Sequence, residues 1–104
     1  MSRAAITGEG ARLQLSGVLD HANVPTLREQ GRALIGKGSG PLVLDCAGVV
    51  RSNSAGLALL LAWLRDAQAA GRPLTIARLP SELRQIADVS DALALLPLAE
   101  DTQG

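Results

Sequence analysis

Ser54 is the residue best placed for chemistry or recognition, because its hydroxyl stands where a buried strand gives way to a strongly apolar helix. The surrounding stretch, residues 41–64, reads PLVLDCAGVVRSNSAGLALLLAWL. A hydroxyl at the start of a helix lies among unpaired backbone N–H groups and the positive end of the helix dipole. Such a site suits a phosphate, a carboxylate or a polar group of a partner protein. The simpler alternative is an N-cap, a structural role that serine fills in many proteins.

Catalysis is not expected from the other polar residues. The only histidine, His21, falls in a loop, and the only cysteine, Cys46, follows a predicted strand without an activating partner. Asp45, at the end of that strand, is expected to lie near Asn53 and Ser54, but this group lacks a general base. No cluster of His, Cys, Asp or Glu has metal-ligand spacing. We therefore expect a protein that is not an enzyme and that uses no cofactor or metal.

The composition fits one small domain over residues 1–104 that binds no nucleic acid. Ten basic and ten acidic residues give a formal net charge of zero, and the basic ones are scattered rather than clustered as nucleic-acid binding requires. Hydrophobic residues make up 47% of the chain and Trp63 is its only aromatic residue, so the core must be aliphatic. The chain lacks a signal-peptide pattern and the roughly 20 continuous apolar residues that span a bilayer. We expect a cytoplasmic protein, not inserted in a membrane and peripheral to the inner membrane through a partner.

Two short strands, followed by alternating helices and strands, are predicted from the apolar periodicity and the positions of Gly and Pro. A turn-rich spacer makes the first two strands an antiparallel hairpin, and the later alternation implies crossovers and a partly parallel sheet. The predicted strands cover residues 4–7, 11–15, 41–45 and 74–79, the predicted helices cover 25–35, 55–70 and 80–89, and residues 93–98 form a final short strand or helix. The fold class is α/β, a small mixed β-sheet with helices largely on one side.

The helix predicted over residues 55–70 carries more apolar surface than a sheet can cover. At about 100° per residue, its large apolar side chains spread over an arc of roughly 200°, about twice what a helix on a sheet buries. Leu57, Leu60, Leu61 and Leu64 form one stripe, with Leu59 and Trp63 on its flank. Neighbouring helices, a second copy of the chain or another protein could cover the excess. An apolar patch beside a polar helix start is typical of a recognition surface.

Three segments of this sequence resemble the STAS domains, a family that includes bacterial anti-sigma factor antagonists. An apolar strand ending in Asp45 precedes the turn Asn53-Ser54-Ala55-Gly56 and an apolar helix start at residues 57–61, and residues 16–20 resemble the strand end before the family's first helix. The likeness covers nearly the whole chain and implies the STAS fold. It is greatest to the small stand-alone STAS subunits of bacterial phospholipid-transport ABC complexes. By this resemblance the chain binds the cytoplasmic ATPase, and indirectly the permease, and helps to maintain outer-membrane lipid asymmetry.

The resemblance places Ser54 at the family's key hydroxyl and turns the start of the second helix toward the ATPase. The residues expected to bind the partner are Asn53, Ser54, Ala55, Gly56, Leu57, Leu59 and Trp63. Ser54→Arg and Leu57→Asp are expected to abolish co-purification with the ATPase while leaving the domain folded.

Two alternatives remain open. In an anti-sigma factor antagonist, a partner kinase phosphorylates Ser54, and the added charge of about −2 expels the partner. The acidic residue that precedes the hydroxyl in phosphorylated antagonists is Asn53 here, which weakens the case for a kinase switch but not for docking. The other alternative is a nucleotide- or lipid-binding module, which predicts ligand-dependent melting shifts without any protein partner.

Overall fold

Helices and strands alternate after an opening hairpin, in the order that the sequence predicts. The computed structural model describes residues 4–99. The strands are β1 Ala5–Glu9, β2 Arg12–Leu19, β3 Leu42–Ser52 and β4 Leu74–Ala77, the helices are α1 Val24–Lys37, α2 Ser54–Ala69 and α3 Ser81–Val89, and a short 3-10 helix covers Leu93–Leu95. Most predicted boundaries are confirmed within two residues. The exceptions are β2 and β3, which extend further than predicted.

The four strands form one mixed sheet in the order β1-β2-β3-β4. β1 and β2 pair antiparallel, and Gly10 in their connection has a φ of +66°, as a tight hairpin turn requires. β2, β3 and β4 run parallel, so α1 and α2 are crossover connections. Both crossovers move to the next strand in the same direction, and their usual right-handedness places α1 and α2 on one face of the sheet. α3 contacts both α2 and β3, and Leu98 extends the sheet by a parallel bridge to Ile76.

Alternation along the strands decides which side chains face the helices. In β2, Leu13 and Leu15 are buried, whereas Arg12 and Gln14 are exposed. The inward residues of the other strands and of the helices join β2 in one aliphatic core that includes Leu42, Leu44, Cys46, Leu74, Ile76, Leu27, Ile35, Leu60 and Leu83. The opposite face of the sheet carries no helix from the two crossovers. The core is therefore a single layer between the sheet and its helices.

β3 is much longer than the strand predicted over residues 41–45. It runs for 11 residues to Ser52, and its pairing with β2 continues to Leu19 and Ser52 through two register shifts. β4, by contrast, ends at Ala77 opposite Asp45. The second half of β3 has no strand on that side and is largely exposed, so it lacks the apolar pattern of a buried strand. The strand end predicted at Asp45 is therefore wrong, and Cys46 lies inside the strand.

Arg72 is an arginine whose burial the sequence pattern does not predict. Only 2% of its surface is exposed. Its guanidinium donates hydrogen bonds to the backbone carbonyls of Gly40 at 2.9 Å, Ile35 at 2.8 Å and Gly10 at 3.0 Å. Ile35 lies in the last turn of α1, where the helix dipole is negative and favours a cation. Arg72 thus joins the hairpin turn, the end of α1 and the segment that leads into β4.

Candidate functional site

The N-cap of α2 is Asn53 rather than Ser54. Asn53 is the single residue between β3 and α2 and has extended backbone angles, and its side-chain oxygen accepts a hydrogen bond of 2.8 Å from the amide of Ala55. Ser54 is then the first helical residue, and it is exposed. Its hydroxyl makes no hydrogen bond with any residue in the range 4–99. The simpler interpretation of Ser54, as the cap, is therefore wrong, and the hydroxyl is available to a partner.

The backbone beneath Ser54 is held by a short hydrogen-bond network. The amide of Asn53 donates to the carbonyl of Leu19 at 3.2 Å, and the carbonyl of Asn53 accepts from the Ser52 hydroxyl at 2.9 Å and from the Gly56 amide at 3.0 Å. A side chain at Gly56 would overlap the Ser52 hydroxyl, so glycine is required for this close approach. These contacts hold the turn that carries Ser54 in one conformation.

The start of α1 lies beside the start of α2. Asp20 follows β2 and accepts hydrogen bonds from the amides of Ala22 at 3.0 Å and Asn23 at 2.9 Å. The side chain of Asn23 donates to the carbonyl of Val18 at 2.8 Å instead of capping α1. Because β2 and β3 are parallel and adjacent, the helices that follow them both begin at the same edge of the sheet. This placement follows from the order of strands and helices along the chain.

An open groove separates these two helix starts, and we call it the α1–α2 groove. It has a volume of about 290 Å³ and is lined by His21, Val24, Pro25, Ser54, Ala55 and Ala58. Val24 is half-buried, while His21, Pro25, Ser54 and Ala58 are exposed. The groove is at the small end of ligand sites and is mainly aliphatic with polar groups at its rim. It therefore suits one or two side chains of a protein partner better than a large ligand.

Five of the seven residues expected to bind the partner are buried in the monomer, namely Ala55, Gly56, Leu57, Leu59 and Trp63. The exposed fraction is 7% for Leu57 and 1% each for Leu59 and Trp63. The indole of Trp63 lies against Gly31 of α1, and its Nε1 donates to the carbonyl of Arg28 at 3.1 Å. Coverage by neighbouring elements therefore explains the apolar excess on this flank.

This burial corrects two expectations. Leu57, Leu59 and Trp63 do not form a free surface, so the exposed part of the predicted site is the turn at Asn53 and Ser54 together with Ala58 beyond it. Leu57→Asp would place a charge in the core, and we expect it to unfold the domain rather than to leave it folded. Leu61 and Leu64 are half-buried and complete the inward stripe.

Asp45 does not join the Ser54 turn. Ser52 is the seventh residue after Asp45 along β3, and at about 3.3 Å per residue the two lie roughly 20 Å apart. Its carboxylate instead receives hydrogen bonds from Arg78 at 2.6 and 3.2 Å and from Arg12 at 2.8 Å. These bonds, the one from Arg78 first, hold the pKa of Asp45 well below its usual value against the opposing effect of burial. Asp45 is a structural anion on the sheet face opposite Leu44 and Cys46.

The remaining reactive side chains are not arranged for catalysis. Burial, aided by the charge of Asp45, raises the pKa of the Cys46 thiol to about 12, so the thiolate that could act as a nucleophile is scarce. Within residues 4–99, no three histidine, cysteine or acidic side chains converge on a metal position. The helices in this part of the chain also lack the length and apolarity to span a membrane. What the described site offers is recognition through a hydroxyl, backbone groups and an aliphatic groove.

Comparison with known proteins identifies a family and a fold. The family model described as "Mlab, STAS domain" matches residues 2–97. The anti-sigma factor antagonist SpoIIAA in its unphosphorylated form is similar with a TM-score of 0.68 and 19% identity, over 97% of this chain and 90% of SpoIIAA. An anti-sigma factor antagonist from Mycobacterium paratuberculosis is similar with a TM-score of 0.76 and 18% identity, over 96% of this chain and 86% of that chain. No curated protein matches the sequence. At these identities the structural matches establish a shared fold.

Proposed function

This chain belongs to the STAS domain family, and from that membership we propose that it is a regulatory subunit that binds the ATPase of a phospholipid-transport ABC complex. The observation that carries the proposal is the exposed hydroxyl of Ser54. Asn53 caps α2 in its place, and the hydroxyl stands at the rim of the α1–α2 groove. A rigid turn with an unused hydroxyl beside an aliphatic groove is the composition of a protein-binding surface.

Affinity and specificity come from different parts of this surface. Burial of Val24, Pro25 and Ala58 by an apolar side chain of the ATPase supplies affinity. The Ser54 hydroxyl supplies a directional hydrogen bond, which a poorly matched partner would leave unpaired. The chain needs no catalytic group for this role.

The description of the matching family supports the choice of complex. MlaB is the STAS subunit of the bacterial Mla phospholipid-transport ABC complex, and the family model carries its name. In this role the chain lies in the cytoplasm, peripheral to the inner membrane through the ATPase, and contacts the permease only indirectly. By supporting assembly and activity of the ATPase, it helps to maintain the lipid asymmetry of the outer membrane.

A matched pair of serine variants tests the proposal. Ser54 and Ser81 are both exposed and both begin a helix, so arginine at either position alters a helix start in the same way. We expect Ser54→Arg to weaken binding to the ATPase subunit about a hundredfold or more, as loss of a central contact does, and Ser81→Arg to bind like the unmodified chain. Co-purification and titration calorimetry measure this, with circular dichroism to show that both variants fold. A Ser54→Arg variant that still binds normally would contradict the proposal.

A second function is favoured by the same exposed hydroxyl. The fold is shared with anti-sigma factor antagonists, and phosphate on Ser54 would lie at the positive end of α2. The neutral Asn53 occupies the position at which phosphorylated antagonists have an acidic residue. For this reason we favour binding to the ATPase over a phosphorylation switch. Incubation with ATP and the candidate kinases from the same cell, followed by mass spectrometry, separates the two. Stoichiometric phosphate on Ser54, absent from the Ser54→Ala variant, would favour the phosphorylation switch over the role as an ATPase-binding subunit.

A further inference from the structure

The end of β3 has a backbone amide that no strand can satisfy. β4 ends at Ala77, opposite Asp45, so the later residues of β3 have a neighbouring strand only on the β2 side. The amide of Ser52 instead donates a hydrogen bond of 2.7 Å to Oε1 of Glu82, in the first turn of α3. A buried amide without an acceptor is costly, and a carboxylate is among the strongest acceptors available. Glu82 therefore takes the place of the missing strand at this position.

The residue that Glu82 holds is the one that fixes the Ser54 turn. The Ser52 hydroxyl donates to the carbonyl of Asn53 and packs against Gly56 without room for a side chain there. The same Asn53 carbonyl accepts from the Gly56 amide, and the Asn53 side chain caps α2 at Ala55. A shift of Ser52 would thus move the cap and the first turn of α2 together.

The charge of Glu82 contributes less than its acceptor oxygen. Its other oxygen, Oε2, lies 3.8 Å from Nε of Arg51, and the two side chains are 43% and 74% exposed. An ion pair this long and this exposed adds little. The short bond to the Ser52 amide is the interaction that reaches the turn.

We propose that Glu82 of α3 is a positioning residue for the Ser54 turn, acting through Ser52 to set the orientation in which α2 presents Ser54 to its partner. This inference rests on the proposed function for the identity of the partner. It extends the recognition site to a helix that does not line the α1–α2 groove.

Three variants of the full chain test the role of Glu82. Glu82→Ala removes the acceptor, Glu82→Gln keeps an acceptor oxygen without the charge, and Arg51→Ala removes only the ion pair. Gln85→Ala, on the exposed surface of the same helix, is the matched control. Binding to the ATPase subunit is measured by calorimetry, and exchange of the Ala55 and Gly56 amides is measured by NMR in the free protein.

We expect Glu82→Ala to weaken binding about tenfold, the scale of one lost hydrogen bond to a charged group. It should also speed exchange of the Ala55 and Gly56 amides at least about fivefold, while the Leu44 amide in the middle of the sheet exchanges as before. Glu82→Gln, Arg51→Ala and Gln85→Ala should stay within about twofold of the unmodified chain in both measurements, because each keeps an acceptor for Ser52.

Three results would overturn the positioning role. The first is an exchange rate of the Ala55 and Gly56 amides that is unchanged in Glu82→Ala. The second is a loss of binding in Arg51→Ala equal to that in Glu82→Ala. The third is exchange of these two amides in Glu82→Gln that is as fast as in Glu82→Ala. If the unmodified chain does not bind the ATPase subunit, the proposed function fails instead. The exchange measurement on the free protein still decides the role of Glu82 in that case.

Discussion

The indole of Trp63 lies over Gly31, so that α2 contacts α1 where α1 has no side chain. The ring nitrogen completes the contact with a hydrogen bond of 3.1 Å to the carbonyl of Arg28, one turn earlier in α1. The only aromatic residue of the chain is thus used to join two helices rather than to bind a partner. This contact sets the spacing of α1 and α2 below the groove that separates their N-termini.

Gly31→Ala is expected to destabilise the domain although alanine favours helices. The new methyl group would overlap the Trp63 ring, which is rigid and 1% exposed, at a cost of about 1–3 kcal/mol that exceeds the helix-propensity gain of about 1 kcal/mol. We expect a net loss of about 1 kcal/mol in the free energy of unfolding, measured by urea titration of Trp63 fluorescence. Gly36→Ala is the control, because nothing lies within 4 Å of the added methyl group. It should stabilise by about 0.5–1 kcal/mol, and the same gain for Gly31→Ala would refute the close contact.

Arg72→Met is expected to lower the free energy of unfolding by about 3 kcal/mol, because the buried Ile35 carbonyl and two partly buried hydrogen bonds lose their donor. The side chain otherwise bonds to Gly10 in the hairpin turn, to Ile35 in the last turn of α1 and to Gly40 in the loop that follows α1. Arg32→Met provides the comparison, since Arg32 is 58% exposed and only pairs with a neighbour on its own helix. That variant should change stability by less than about 0.5 kcal/mol. Equal midpoints in urea for the two variants would show that Arg72 does not hold the connections together.

The stability contributed by Asp45 is expected to depend on pH with a defined sign. Its folded pKa lies below the ordinary value of 3.8, so the contribution is complete well above pH 3.8 and is lost progressively as the pH falls below that value. Asp45→Asn should cost about 1–2 kcal/mol at pH 7, because charged hydrogen bonds are lost but both arginines are about half exposed.

Urea titrations from pH 7 to pH 2 measure this dependence. The difference in the free energy of unfolding between the unmodified chain and Asp45→Asn should narrow only as the pH falls below about 3.8. Asp88→Asn, on the exposed surface of α3, should show a small difference that stays constant. A difference for Asp45→Asn that is as large at pH 2 as at pH 7 would argue against an ionised Asp45 in the folded protein.

The sequence predicts the order of elements and the sheet class because the signals for these are local. Glycine and proline mark the ends of the helices, and strong apolar runs mark α2 and the first half of β3. The second half of β3 was missed because its partner is β2 alone, and pairing with a distant strand leaves no pattern within the segment itself. The sequence places Asp45 near the Ser54 turn only if the strand ends early, so one boundary error moved this expected neighbour of Ser54 by roughly 20 Å.

The start of α2 was predicted correctly, but the burial of the residues around it was not. Asn53 and Ser54 are exposed at the start of α2, whereas Ala55 and Gly56 are buried with Leu57, Leu59 and Trp63. Periodicity gives the width of an apolar arc and does not tell whether another helix covers it. Glu82 and Arg72 are separated by 30 and 32 residues from Ser52 and Gly40, whose backbone atoms they bond, and no sequence pattern records such contacts.

Because Asn53 rather than Ser54 supports the start of α2, folding and selectivity depend on different positions of one short turn. Substitutions at position 54 can therefore be sampled during evolution at little thermodynamic cost, while position 53 stays constrained. After a duplication of this gene, a single substitution at position 54 could change the protein that one copy binds. The fold would tolerate that substitution.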